Sequence, residues 1–135
     1  MDDLLDMKFD LSIETDNPAI LRDQIRESTQ IYYHYAHKLK IAEANVAQAK
    51  LDLKVLEARL ADGMRVDNPK VSETKIDKMM ATFPEYVTGV QTLNAAKFVE
   101  GKYAALVKSL EQRYSLLVSV AYLIKQELRQ QDITI

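Results

Sequence analysis

The sequence predicts an all-α protein: an elongated helical hairpin of two long helices with a short connecting helix, coiled-coil-like, assembling as an oligomer. Three glycines and three prolines in 135 residues are too few for the many turns of an all-β fold. Two segments repeat apolar residues in alternating steps of three and four, the signature of a coiled-coil seam. One stretch, LEARLADGMRVDNPKVSETKIDK from Leu56 to Lys78, interrupts them.

The first long helix is announced by Asp16-Asn17-Pro18, with Asn17 as N-cap and Pro18 at the first helical position. Its inward positions are Leu21, Ile25, Ser28, Tyr32, Tyr35, Leu39, Ala42, Val46, Ala49, Leu53, Leu56 and Leu60. The steps hold for more than five heptads, and the small Ser28, Ala42 and Ala49 would let a partner helix approach closely. Gly63 suits the C′ position that ends the helix. Met64 to Val71 is then a connector that Pro69 keeps from being helical. Ser72 caps a short amphipathic helix from Glu73 to about Ala81, and Thr82-Phe83-Pro84-Glu85 matches a T-x-x-E capping box. The second long helix runs to about Gln131, with Tyr103, Leu106, Leu110, Arg113, Leu117, Val120 and Ile124 on its seam. Gly89 and Gly101 each cost roughly 1 kcal/mol in a helix interior, marking bends or close contacts.

Magnitudes favour assembly. A helix over residues 18–61 would be about 66 Å long, whereas a compact chain of this size is roughly 37 Å across. A two-helix hairpin leaves much apolar surface wet, and a homo-oligomer is the simplest remedy.

Composition narrows the function. No cysteine is present, so disulfides and thiolate chemistry are excluded. No stretch approaches the roughly 18 apolar residues of a membrane span, and the acidic start MDDLLDMKFD differs from a basic secretory signal, so a cytoplasmic protein with no membrane partner is expected. In residues 1–20, six acids against Lys8 leave −5; the other 115 residues hold 17 bases and 14 acids, leaving +3. Residues 1–16 thus read as an acidic leader, either a solubilising tail or a segment that competes with an anionic ligand or contacts a partner. Residues 17–135 read as one helical domain.

Enzyme signatures such as phosphate-binding glycine loops, nucleophile elbows and H-E-x-x-H are absent, and no cofactor or metal is expected. His34 and His37 stand at i, i+3, a spacing that could begin a metal site, but no third ligand accompanies them locally. The run from Ile31 to Lys40 sets aromatics beside positive charge, as single-strand binding platforms do. Tyr32 and Tyr35 belong to the seam there, leaving Tyr33 and Lys40 freer to act. Lys50, Lys54, Arg59, Arg65, Lys70, Lys75 and Lys78 gather toward the connector, interleaved with Asp52, Glu57, Asp62, Asp67, Glu73 and Asp77. In one subunit this is a salt-bridged surface; repeated by oligomer symmetry it becomes a multivalent phosphate track.

At these residues the chain resembles the UvsY-type recombination mediators of T-even and related phages. Leu56-Glu57-Ala58-Arg59-Leu60 is similar to the family's L-x-A-R-L segment, and Lys70-Val71-Ser72-Glu73-Thr74-Lys75-Ile76 to its K-x-S-E element. A long C-terminal helix carrying Arg113 completes the order over residues 17–131. Where the family has a lysine beside the arginine, this chain has Glu57; Arg59 carries over, and Lys54 lies one turn earlier. The family's tryptophan and C-terminal R-G pair are absent. The resemblance implies a non-enzymatic homo-oligomer in the cytoplasm of an infected bacterial host. It would bind single-stranded DNA and help load a RecA-like recombinase in place of single-strand-binding protein. Lys54, Arg59, Arg65, Lys70 and Lys75 would contact phosphates, supported by Lys50 and Lys78. The alternative is a structural coiled-coil or adaptor with no nucleic-acid role; a third is a small helical enzyme using His34 and His37.

Overall fold

The computed structural model describes residues 17–133, so the acidic leader lies outside the described residues. Three helices and no strand occupy the described residues: α1 (Pro18–Asp67), α2 (Glu73–Met80) and α3 (Pro84–Ile133). The all-α expectation holds. Contacts divide the described residues into two compact units, residues 17–35 with 106–133, and Ala36–Ala105.

Asn17 caps α1 as expected, its Oδ1 accepting from the amides of Ala19 at 2.9 Å and Ile20 at 3.4 Å. Every predicted inward position of α1 is buried or half-buried, and so is every seam position from Tyr103 to Ile124. In the first unit α1 and α3 run antiparallel. Leu21, Ser28 and Tyr35 of α1 and Val107, Leu110 and Leu117 of α3 are buried in that unit.

The second unit holds Ala42, Val46 and Tyr103, plus a cluster of Ala61, Met64, Ile76 and Met80 flanked by Leu60, Val71, Phe83 and Tyr86. Again α1 and α3 are antiparallel, and α2 supplies Ile76 and Met80. Ser72 is the N-cap of α2, its side chain accepting from the Lys75 amide at 3.2 Å. Glu73 in the first turn and Lys78 in the last complement the helix dipole.

Two local expectations are corrected. Gly63 does not end α1: no glycine has positive φ, and the helix continues to Asp67. Burying Met64 contributes about 1.5–3 kcal/mol, more than the roughly 1 kcal/mol an interior glycine costs, so packing carries the helix past Gly63. It stops before Pro69 because the residue preceding proline is pushed out of helical geometry. There Asn68 makes the turn, its Oδ1 accepting from the Lys70 amide at 3.2 Å and its carbonyl from the Val71 amide at 3.1 Å.

Thr82 does not form a capping box. Its hydroxyl and amide both bond back to the Met79 carbonyl, at 2.6 and 3.0 Å, closing α2. Pro84, pre-set for the first helical position, then starts α3 after Phe83, whose ring packs on the Ile76 cluster. Of the glycines in α3, Gly89 does mark a close contact: a Cβ there would lie 2.9 Å from Leu53 Cδ1. Gly101 has nothing within 4 Å of such a Cβ and marks none.

Candidate nucleic-acid interface

All seven basic candidates lie in the second unit and are exposed, but they fall into two groups. The arginines are paired. Arg59 Nη2 reaches Glu85 Oε2 at 2.7 Å, joining α1 to α3. Arg65 Nη2 reaches Glu73 Oε1 at 2.7 Å, and its Nη1 reaches Asp62 Oδ1 at 3.4 Å. The hydrogen bond and charge of Glu73 raise the Arg65 pKa above its ordinary value. A phosphate would have to share these guanidinium groups with carboxylates already in place.

The lysines differ. Lys50, Lys54, Lys70, Lys75 and Lys78 make no ion pair among the described residues. Lys50 and Lys54 stand at i, i+4 on α1, so their ammonium groups share one face. Lys75 and Lys78, at i, i+3 on α2, share the side left exposed when Ile76 and Met80 turn inward. Lys70 sits in the turn between the helices. The neighbouring acids keep the surface mixed: Asp52 accepts from Gln48 Nε2 at 2.8 Å rather than from a lysine.

The tyrosines of the aromatic run, all in the first unit, divide as their periodicity predicts. Tyr35 is buried, Tyr32 is half-buried and Tyr33 is 67% exposed. Lys40, expected to be free, pairs with Glu43 at 3.4 Å. His34 and His37 are both exposed, and among the described residues no group of three or more His, Asp or Glu could hold a metal ion.

Sequence reasoning missed a groove of about 470 Å³ in this unit, lined by Thr29, Tyr32, Tyr33, Glu111, Tyr114 and Ser115. The Tyr32 hydroxyl donates to Glu111 Oε1 at 3.1 Å, and the Tyr32 and Tyr33 rings meet edge-on with centroids 5.5 Å apart. That hydrogen bond, then the Glu111 charge, raises the Tyr32 pKa above the usual tyrosine value. Tyr33 was singled out from the sequence, but Glu111 and Tyr114 were not. Glu111 lies 79 positions beyond Tyr32, and Tyr114 lies 81 beyond Tyr33. Only the antiparallel register brings them together.

No known protein family, curated protein or solved structure matches the chain.

Proposed function

We propose that the protein is a non-enzymatic helical mediator of phage-type recombination that binds single-stranded DNA electrostatically as a homo-oligomer. The observation that carries this reading is the set of five exposed lysines of the second unit, none in an ion pair among the described residues. They stand on elements in the order of the UvsY-type resemblance: α1 with Lys50 and Lys54, the turn with Lys70, and α2 with Lys75 and Lys78. Lys54, with no partner among the described residues, takes up the role of the family lysine that Glu57 replaces. Arg59 and Arg65 join it only by exchanging carboxylate for phosphate. A RecA-like recombinase and a single-strand-binding protein are the protein partners this role entails, in the cytoplasm of an infected bacterium. No helix of the described residues is long and apolar enough to cross a membrane.

Oligomerisation has its own support. Ile41, Ala44, Gln48, Leu51, Val55 and Ala58 repeat in steps of three and four on the outer side of α1, and all are exposed. A second copy would bury this stripe. The stripe equally favours the alternative, a structural coiled-coil or adaptor. Fluorescence anisotropy with a labelled single strand across a salt series separates the two. A mediator loses affinity with salt at a log–log slope near −0.7 per phosphate contacted. Absence of binding at about 50 mM salt, where the counterion penalty is small, overturns the mediator reading and leaves the structural one.

A further inference from the structure

The tyrosine-lined groove of the first unit has chemistry distinct from that of the connector lysines. Its faces are aromatic: Tyr33 is 67% and Tyr114 40% exposed. Two of its polar groups, Thr29 and Glu111, present acceptors. The Thr29 hydroxyl spends its proton on the Ile25 carbonyl at 3.0 Å, leaving only lone pairs for the groove. Glu111 accepts a hydrogen bond from the Tyr32 hydroxyl on Oε1 and has no other hydrogen bond or ion pair among the described residues, so its second oxygen is open. A ligand for this groove is therefore flat and donates a hydrogen bond from its edge.

Cations flank it. Arg26 lies three residues before Thr29 and Lys108 three before Glu111, one helical turn away on the same faces. Both are exposed and unpaired among the described residues. A free organic cation would be drawn to Glu111 but repelled by these flanks; a neutral ring tied to phosphates suits all three features. The geometry points to a site for one unstacked nucleobase bearing an exocyclic amine, cytosine above all. The base stacks on the Tyr33 and Tyr114 rings, its amine donates to Glu111, and Arg26 and Lys108 hold the adjoining phosphates. Carboxylates accept from the cytosine N4 amine, whereas thymine offers only an acceptor and a methyl group at the same edge. This assignment rests on the single-strand-binding reading and adds a base preference that phosphate contacts cannot supply.

The test compares equal-length labelled oligo-dC and oligo-dT on the full-length protein at neutral pH, with Tyr33→Leu and Glu111→Ala beside the wild type. Tyr33→Leu keeps the bulk at an exposed position but removes the ring. It should weaken both oligonucleotides about tenfold, as loss of one stacked base does. Removing a negative charge strengthens both ligands, so the readout for Glu111→Ala is the ratio: oligo-dC should lose about fivefold relative to oligo-dT, the value of one hydrogen bond. If both oligonucleotides bind and neither variant changes affinity or ratio, the groove assignment fails while the single-strand reading stands. If neither binds, both fail. Tyr33 and Tyr114 ring-proton NMR shifts on adding tetramethylammonium but not dCMP would place an organic cation in the groove and overturn the assignment.

Discussion

The two units are built from the same pair of helices, yet they solve the burial problem differently. In the second unit a third element, α2, inserts Ile76 and Met80 against Ala61 and Met64, and four more side chains close around them. Among the described residues the first unit has only α1 and α3. There the uncharged run from Tyr114 to Ile124 turns Leu117 inward but leaves Leu116, Val118, Tyr122 and Leu123 exposed. Two helices bury one stripe each, and a helix apolar all round needs further neighbours. Eight residues of α2 are enough to close a core around Ile76, although Ile41, Leu51 and Val55 of the same unit stay exposed, and the first unit keeps an aromatic and aliphatic surface open.

Truncating each centre breaks this comparison most directly. Ile76→Ala and Leu117→Ala, at positions 1% and 0% exposed, should each cost about 2–5 kcal/mol in denaturant unfolding. Hydrogen exchange distinguishes them. Ile76→Ala should speed exchange in α2 and the end of α1, and Leu117→Ala in residues 18–35 and 106–133. Uniform acceleration in both variants would mean that the units do not open separately.

The glycines give smaller effects of known sign. Gly63→Ala and Gly101→Ala occupy helical backbone with open space around the new Cβ, so each should stabilise by about 1 kcal/mol. A loss at Gly63 would restore it as a helix terminator. Gly89→Ala should gain less, because its Cβ must displace the Leu53 side chain. Ser28 is fully buried and its hydroxyl has no partner among the described residues. Ser28→Ala therefore removes an unpaired polar group and should leave stability unchanged or raise it by up to about 1 kcal/mol. A loss beyond 1 kcal/mol would reveal a partner for that hydroxyl.

The smallest effect is a pH dependence confined to the first unit. The folded Tyr32 pKa lies above its unfolded value. Its contribution is thus fully present below a pH of about 10, the unperturbed tyrosine value, and is lost as pH rises through the folded pKa. Tyr32→Phe should remove that alkaline component from thermal melts without changing the profile near neutrality. An unchanged alkaline profile would show that the Glu111 contact contributes nothing.

Much of the fold was legible because a heptad seam reports directly which side of a helix faces inward. Leu21 to Leu60 and Tyr103 to Ile124 needed no tertiary knowledge. Helix ends were less legible. Gly63 and Thr82 carry sound local signals for a C′ glycine and an N-cap, but Met64 had a core to reach and Thr82 had the end of α2 to close. The candidate site was legible as a set of bases and not as their pairing. Spacing does not say that Arg59 meets Glu85 on a distant helix while Lys54 meets no acid among the described residues.

By itself, the sequence determined the helical class, the two seams, the Asn17 and Ser72 caps and the break at Pro69, because each depends on neighbours within a turn or two. Only the tertiary structure decided that α1 passes through Gly63, that Arg59 and Arg65 are paired while the five candidate lysines make no ion pair among the described residues, and that Glu111 and Tyr114 join Tyr32 and Tyr33. Those outcomes depend on which residues lie opposite one another. A repeat of three and four specifies a face, but it leaves the register across that face to packing.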